Sequence, residues 1–264
     1  MLGLKTHRWN RVFREDGKTL IVAFDHPATF GMMEGGEKPG EVLKQVRAGG
    51  ADAILTTYGV VTQFPAEFGN MGIMLRVDGG TSSLAKDRGP SQLVFDVYDA
   101  LRVGADGVCS MGMPGSVFEA QTLPYLADLV SQCGEWNVPV MAEMLPAGFE
   151  NPKEMWTPEN IGHACRIGAE FGVDLIKTTY SGDVKSFRNI VENVYVPIVV
   201  LGGSKSEDPA DLLSNIAESL EAGASGVAVG RNIWRSAEPG KMTAAIAAIV
   251  HDGATVDAAL QNLK

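Results

Sequence analysis

The stretch Ile198-Val199-Val200-Leu201 places four large apolar residues at consecutive positions. A strand with one face in water alternates apolar and polar residues, so an uninterrupted run predicts a strand buried on both faces, as in parallel sheets. Working outward, similar short runs recur along the chain and alternate with longer helical patterns. We predict strands at about 19–25, 52–58, 72–78, 106–111, 138–145, 173–180, 196–202 and 225–231.

Helical patterns fill the gaps between these strands, and several of them end in glycine just before the next strand begins. A glycine at this point adopts the left-handed conformation that stops a helix. The helical segments are Glu41–Ala48, Gln92–Arg102, Phe118–Glu135, Pro158–Phe171, Val184–Glu192, Ala210–Glu221 and Lys241–Val250. The glycine junctions are Gly49-Gly50-Ala51-Asp52-Ala53, Gly104-Ala105-Asp106-Gly107, Gly172-Val173-Asp174-Leu175 and Gly223-Ala224-Ser225-Gly226.

One β-α unit is therefore used repeatedly. Eight such units in 264 residues predict an α/β fold, a (β/α)8 TIM barrel that forms a single domain over residues 1–264. The alternative is an open, doubly wound sheet. No GxGxxG motif follows the first predicted strand, which disfavours a dinucleotide-binding fold of that kind.

Composition narrows the class of protein. The chain is 45% hydrophobic, its longest apolar runs are only strand-length, and residues 1–17 contain no apolar signal segment. Three widely spaced cysteines, without CxxC spacing, indicate free thiols in a reducing compartment, so we expect a cytoplasmic protein. The net charge of -10 disfavours nucleic acid and anionic membranes as partners, although a local site can still bind phosphate.

Functional side chains of such barrels lie at the carboxyl ends of the strands. The sixth predicted strand contains Lys177, which strand alternation places on one face with Leu175 and Thr179. If that face is the barrel interior, desolvation favours the neutral amine, the form that attacks a carbonyl to make a Schiff base. The alternative is a lysine that extends to the rim or pairs with a carboxylate.

Two carboxylates end other apolar strands. Asp25 closes the first strand and is a candidate partner or proton shuttle for Lys177, although it could instead cap the following turn. Glu143 is the only charge in the fifth strand, where an apolar surround would raise its pKa and suit acid/base work. The alternative for Glu143 is a buried ion pair without a catalytic role. His26 carries a weaker signal, and Arg76 and Asp78 on the third predicted strand are candidates to pair with each other.

The last two strands end in glycine followed by basic residues, as in the usual phosphate site of these barrels. Glycine lets backbone N–H groups approach an anion closely, and Arg231 can add a charged clamp. The candidate phosphate-binding residues are Gly202, Gly203, Ser204, Gly230 and Arg231. Two tight turns are the structural alternative. No cluster of His, Cys and carboxylates has metal-ligand spacing, so we expect no metal and no other cofactor.

Two loops on this face are long, 31–40 after the first strand and 147–156 after the fifth. Each is a candidate lid over the site or, equally, a variable surface loop.

These motifs together resemble the archaeal-type class I fructose-bisphosphate aldolases, within the wider DeoC/LacD-like aldolase superfamily. The carrying motifs are AFDHP at 23–27, DLIKTTYSGD at 174–183, VLGGSK at 200–205 and GVAVGRNIW at 226–234. The resemblance covers nearly the whole chain. It implies that Lys177 forms the Schiff base, that Asp25 assists at the imine, and that the Gly-Gly and Gly-Arg loops bind the substrate phosphate.

The sequence departs from this family at the end of the fifth strand. Fructose-bisphosphate members have a Trp-x-Tyr-Pro-Arg-Gly-like stretch there, with the tyrosine as acid/base. The matching residues here are Glu143-Met144-Leu145-Pro146-Ala147-Gly148. Leu145 occupies the place of the tyrosine and cannot carry a proton, so Glu143 is the candidate replacement.

The expected function is a class I aldolase that cleaves or forms a C–C bond in a phosphorylated ketose or related sugar phosphate, assembled as a homo-oligomer. The superfamily also contains the autoinducer-2 aldolase/thiolase and a synthase that uses aspartate semialdehyde. Two alternatives follow. One is an autoinducer-2-phosphate thiolase-like acyltransferase, for which no thiol-acceptor motif is present. The other is a non-catalytic sugar-phosphate-binding protein, which the lost tyrosine alone supports.

Overall fold

The computed structural model describes residues 5–86, 89, 91–149, 152–203 and 208–263. Its ten strands are β1 (Thr19–Phe24), β2 (Ala53–Thr56), β3 (Gly72–Arg76), β4 (Asp78–Gly79), β5 (Gln92–Leu93), β6 (Gly107–Gly112), β7 (Val140–Met144), β8 (Leu175–Thr178), β9 (Ile198–Leu201) and β10 (Gly226–Val229). Eight of them are parallel and close into a barrel in the order β1-β2-β3-β6-β7-β8-β9-β10, while β4 and β5 pair antiparallel beside it. The predicted (β/α)8 barrel is confirmed.

Helices connect the strands and surround the barrel. They are α1 (Thr6–Trp9), α2 (Pro27–Phe30), α3 (Pro39–Ala48), α4 (Tyr58–Gln63), α5 (Val97–Arg102), α6 (Glu119–Glu135), α7 (Pro152–Met155), α8 (Pro158–Glu170), α9 (Val184–Asn193), α10 (Pro209–Glu221), α11 (Arg231–Trp234), α12 (Pro239–Asp252) and α13 (Val256–Gln261), with a 3-10 turn at Pro65–Glu67. None of the helices in the described ranges is both long and apolar enough to cross a membrane.

One predicted helix starts in the wrong place. Gln92 and Leu93, predicted to open a helix, instead pair with Gly79 and Asp78 as a short antiparallel ladder. The helix begins only at Val97, because the carboxylate of Asp96 accepts hydrogen bonds from the backbone N–H groups of the first turn and so fixes the start there.

The strands separate two apolar layers. Alternate residues of each strand point inward, where a small cluster fills the barrel, and outward, where a larger cluster packs under the helices. On β8, for example, Leu175 belongs to the inner cluster and Ile176 to the outer one. The strands are therefore buried on both faces, as their uninterrupted apolar runs predict.

The N-terminal segment covers the amino-terminal end of the barrel. Val12 and Phe13 pack into the inner cluster, and Trp9 stacks on Phe13 with ring centroids 4.3 Å apart. Lys5 reaches across to Asp174, with Nζ 2.7 Å from Oδ2. This end is thus filled by side chains, which leaves the carboxyl ends of the strands as the accessible mouth.

The two long loops have definite packing. In the loop after β1, a Cβ on Gly35 would lie 2.4 Å from the backbone oxygen of Trp234, so only glycine permits the observed contact with α11. In the loop after β7, Trp156 donates a hydrogen bond to the backbone oxygen of Gly148 over 3.1 Å.

Candidate active site

Lys177 lies inside the barrel near its mouth. It follows Leu175 by two residues on β8, and the strand period places both side chains on the interior face. Lys177 is only 4% exposed. A lysine held so far from water needs an anionic partner close by.

Glu143 is that partner. The barrel register sets Glu143 of β7 directly beside Lys177 of β8. The Lys177 Nζ lies 3.0 Å from Glu143 Oε1, and both side chains are buried. Two of the three predicted catalytic residues are therefore in direct contact, through strands that are adjacent in the barrel.

Arg76 connects the third predicted catalytic residue, Asp25, to this pair. Its Nε donates to Asp25 Oδ2 over 2.8 Å, and its Nη2 donates to Glu143 Oε2. Asp25 in turn lies near His26, with Oδ1 3.3 Å from Nδ1. One guanidinium therefore links both candidate carboxylates across the barrel interior.

The sequence alone did not predict this bridge and indicated only a pair between Arg76 and Asp78. That pair exists, with Arg76 Nη1 3.3 Å from Asp78 Oδ1. The available signal was alternation on β3, where Met74 belongs to the inner apolar cluster and Arg76 follows it by two residues.

Charge sets the protonation of the two carboxylates. Burial, the largest single influence, would raise the pKa of Asp25, but the charges of Arg76 and Lys177 and the hydrogen bond to His26 together outweigh it and hold that pKa well below its usual range. Burial also opposes ionisation of Glu143, yet Lys177 and Arg76 together lower its pKa. The predicted rise in the pKa of Glu143 is wrong, because two cations face the carboxylate in place of an apolar surround.

Asp78 anchors Arg76 from behind. Its Oδ2 accepts a hydrogen bond from the backbone N–H of Met111 over 3.0 Å and another from the hydroxyl of Tyr125 over 3.1 Å. Burial raises the pKa of Asp78 despite the neighbouring guanidinium. These contacts fix the position of Asp78 and, through it, one nitrogen of the Arg76 fork.

The loops after β9 and β10 lie together at the mouth. Arg231 Nη2 donates to the backbone oxygen of Gly203 over 3.2 Å, and Asn232 Nδ2 donates to that of Gly202 over 2.8 Å. A Cβ on Gly230 would lie 2.5 Å from the backbone oxygen of Ala23, so glycine is required there. Ser204, also predicted for this site, lies outside the described residues.

Arg231 has donor capacity left over. Its side chain is half-buried, and its Nε is buried without a hydrogen-bond partner in the described part of the chain. Burial, followed by the charge of Arg235, lowers the pKa of Arg231. A buried guanidinium with an unused N–H, near a second cation, is a place where an anion would be stabilised.

Other candidate groups lie apart from this cluster. Leu145 is fully buried and offers no group that could carry a proton. The Tyr180 hydroxyl donates to Glu218 over 2.9 Å, and Tyr58 stacks on Phe95. Across the described ranges, no three His, Cys, Asp or Glu residues are grouped so as to hold a metal ion.

Comparisons with known proteins agree with this geometry. A family model described as DeoC/LacD family aldolase matches residues 19–236. A 2-amino-3,7-dideoxy-D-threo-hept-6-ulosonate synthase of Halobacterium salinarum is 36% identical over 97% of this chain and 95% of its own length. A class 1 fructose-bisphosphate aldolase of Thermoproteus tenax is 31% identical over 94% of this chain and 95% of its own.

The fold similarity is equally extensive. A crystal structure of an archaeal fructose 1,6-bisphosphate aldolase superposes with a TM-score of 0.86 at 30% identity, covering 94% of this chain and all of that one. A second structure, of a Schiff base-forming fructose-1,6-bisphosphate aldolase, gives a TM-score of 0.85, also at 30% identity. The similarity therefore spans the whole barrel, including the strands that carry the buried charged cluster.

Proposed function

Since this chain belongs to the DeoC/LacD aldolase family and is a class I, Schiff-base aldolase, we propose that Lys177 is its imine-forming residue and that Asp25 and Glu143 move the protons. The observation that carries this proposal is the buried contact between Lys177 and Glu143 inside the barrel mouth, with Nζ 3.0 Å from Oε1. The substrate is a phosphorylated ketose or a related sugar phosphate.

Glu143 serves the formation of the imine. As an ionised carboxylate it accepts a proton from the Lys177 ammonium, and the neutral amine attacks the substrate carbonyl carbon. The resulting carbinolamine loses its hydroxyl as water, and that hydroxyl needs a proton to leave. Glu143 returns the proton, so one side chain provides the base and then the acid.

Glu143 and Lys177 also carry out C–C cleavage in this proposal. Glu143 takes the hydroxyl proton on the carbon that leaves as an aldehyde. The electrons of the broken C–C bond then form the C=C bond of a neutral enamine, and the C=N π electrons return to the nitrogen. Loss of the positive charge next to Glu143 makes its protonated form more stable at that stage. Glu143 then holds the proton until the enamine carbon takes it, and Asp25 assists at the imine. Bond formation follows the same steps in reverse.

Arg231 and the loops after β9 and β10 bind the phosphate in this proposal. The unused Nε of Arg231 and the backbone N–H groups of Gly202, Gly203, Ser204 and Gly230 supply the donors. Because the phosphate lies away from the reacting carbon, its binding energy positions the substrate without obstructing the chemistry.

Names of the relatives guide the choice of substrates to test. Relatives from Halobacterium salinarum and Streptomyces griseus are named as synthases of seven-carbon amino-keto compounds, one of them phosphorylated, while the Thermoproteus tenax relative is named for fructose bisphosphate. With Leu145 in place of a tyrosine, we propose that fructose bisphosphate is not the preferred substrate. The screen should include phosphorylated ketoses with several aldehyde acceptors, among them amino-acid aldehydes.

Borohydride trapping tests the Lys177 assignment. Borohydride reduces the imine to a stable secondary amine, so each sugar phosphate that reacts adds its carbon skeleton to the intact mass. The adduct should map to Lys177 and disappear in Lys177→Ala, but persist in Lys241→Ala, which removes a surface lysine bound to Glu238.

Three outcomes would contradict parts of the proposal. An adduct on Lys205 would overturn the Lys177 assignment. No adduct with any sugar phosphate that still binds would favour a non-catalytic sugar-phosphate-binding protein. Consumption of coenzyme A with an acylated product would favour the thiolase-like acyltransferase.

We also propose a cytoplasmic homo-oligomer that binds neither nucleic acid nor membranes. Support for the compartment comes from the three cysteines, Cys109, Cys133 and Cys165, which are buried as free thiols. The net charge of -10 supports the absence of nucleic-acid and membrane partners. Light scattering would give the assembly size.

A further inference from the structure

Arg76 takes no part in the steps described above, although it contacts three carboxylates at once. Its nitrogens reach Asp25, Asp78 and Glu143, one nitrogen to each. The guanidinium side chain is 12% exposed, and the three carboxylates are more deeply buried still. An arginine so placed is either structural support for the barrel interior or a part of the reaction apparatus.

We propose that Arg76 is a positioning residue of the aldolase reaction, whose planar fork holds Asp25 and Glu143 apart and directs both toward the Schiff-base position at Lys177. This inference rests on the proposed function, because it gives Asp25 and Glu143 their roles. Arg76 does not touch the reacting atoms in this arrangement and acts through the two carboxylates.

The geometry of the guanidinium fork supports this role. Guanidinium presents its N–H donors in one rigid plane, so three acceptors bound to it have fixed relative positions. Nε holds Asp25 of the β1 end at 2.8 Å, and Nη2 holds Glu143 of β7. A lysine could carry the same charge but would act as a single point and could not bridge the two strands.

Arg76 is itself held in place. Nη1 contacts Asp78, which is bound by the Met111 backbone and by the Tyr125 hydroxyl from α6. The fork therefore cannot rotate without breaking contacts on three sides. Rigid support of this kind is what the precise placement of catalytic groups requires.

The charged and titratable groups around the fork also support this role. The facing groups are Asp25 with His26, Asp78 with Tyr125, Glu143 with Lys177, and Cys109, whose pKa burial raises to about 12, so that its thiol is neutral. Without Arg76, Asp25 and Glu143 would lose the cation that they share, and Lys177 would be the cation left in contact with Glu143. Like charges would then raise the pKa of one of the two carboxylates. Arg76 thus keeps both in the base form.

The test uses dihydroxyacetone phosphate as probe, because proton exchange at its α-carbon in D2O requires only the imine and a base. Exchange is followed by NMR from pH 4 to 9 for the wild type, Arg76→Lys and Asp174→Asn. Asp174 pairs with Lys5 at the opposite end of the barrel, so its variant is the matched control for lost stability. Borohydride trapping at Lys177 is measured in parallel.

We expect Arg76→Lys to trap the probe on Lys177 at pH 8 but to move the acidic limb of exchange upward by about 1–3 pH units, the scale of one lost neighbouring charge contact. Asp174→Asn should lower the melting temperature and leave the pH profile unchanged. An Arg76→Lys profile equal to that of the wild type would overturn the positioning role, and so would an equal shift in Asp174→Asn. No wild-type adduct at Lys177 with this probe or with any other sugar phosphate of the screen would instead overturn the proposed function itself.

A second comparison covers the case in which Arg76→Lys fails to fold. Glu143→Gln alone is compared with Arg76→Met/Glu143→Gln, in which one buried charge of each sign is removed together, so that fewer charges are left without a partner. Asp25 is then the remaining base in both proteins. It keeps its contact with the Arg76 guanidinium in Glu143→Gln and loses it in the double variant. In the double variant, proton exchange should be lost at a higher pH on the acidic side of the profile than in Glu143→Gln. If exchange is lost at the same pH in both, the inference is contradicted.

Discussion

At the scale of single residues, Glu143 has two possible roles in the buried cluster, those of a charge partner and of a proton carrier. Its carboxylate contacts Lys177 and Arg76, which fits a charge partner as well as a proton carrier. The lowered pKa makes it a base in the free enzyme, and loss of the neighbouring Lys177 charge during the reaction allows it to hold a proton. The two interpretations differ in the step that fails when the carboxylate is removed.

Glu143→Gln should therefore form the imine more slowly but still reach it, because water can relay the protons of that step, and should lose roughly 10²–10⁴-fold in turnover, the scale of a lost general acid/base. Borohydride trapping measures imine formation, and steady-state kinetics measure turnover. A variant in which no imine is trapped even after long incubation would show that Glu143 is only a charge partner. Near-normal turnover would exclude the proton-carrier role.

Residues were predicted from the sequence only where their signal was local. Lys177, Glu143 and Asp25 each interrupt or end an apolar strand, so each was visible within its own strand. Arg76 was not assigned, because its near neighbour Asp78 already explained it and its bond to Glu143 spans 67 residues. Only the barrel register brings those strands close enough for the contact.

At the scale of elements, three of the β-α units begin with the same arrangement. Asp52, Asp106 and Asp174 each accept a hydrogen bond from the backbone N–H of a neighbouring strand, donated by Leu20, Ile73 and Val140. Each also pairs with a cation of the N-terminal segment, namely Arg14, Arg11 and Lys5. The Gly-x-Asp repeat was visible in the sequence, but its second partner was not, because that partner lies up to 169 residues away.

The loops after β9 and β10 act as one element, because side chains of the second bind backbone oxygens of the first. Arg231→Ala should weaken binding of a phosphorylated substrate by roughly 1.5–3 kcal/mol, the value of a hydrogen bond to a charged group. Isothermal titration with phosphorylated and unphosphorylated forms of one sugar gives the comparison. Equal losses for both ligands would mean that Arg231 only supports the Gly202-Gly203 turn.

At the scale of the whole molecule, His251 ties the last part of the chain to the first. It lies on α12, and its Nδ1 is 2.7 Å from Asp16 Oδ2 in the N-terminal segment. Its Nε2 is 2.9 Å from Asp52 Oδ2, beside which Arg14 also lies. The histidine thus joins α12 to the loop before β1 and to the residue that precedes β2, at the end of the barrel opposite the mouth.

This contact predicts how the free energy of unfolding depends on pH. Burial opposes the charged form of His251, but hydrogen bonds to Asp52 and Asp16 outweigh burial and raise its pKa above the ordinary value of 6.5. A group whose pKa is higher in the folded state binds its proton more tightly there, so protonation favours folding. The stabilisation is complete below pH 6.5, where the unfolded histidine is also charged, and is lost as pH rises through the folded pKa.

Chemical unfolding of the wild type and of His251→Gln, measured from pH 5.5 to 9, tests this dependence. The difference in free energy of unfolding between the two should be largest at the acid end and should shrink steadily toward pH 9, because only the wild type loses a favourable charge. Arg14 is present in both proteins, but it repels a charged histidine only in the wild type. The measured difference in free energy of unfolding therefore includes that repulsion. A difference that is constant with pH would show that His251 stabilises the fold by packing alone, and one that grows with pH would show that its folded pKa is lowered.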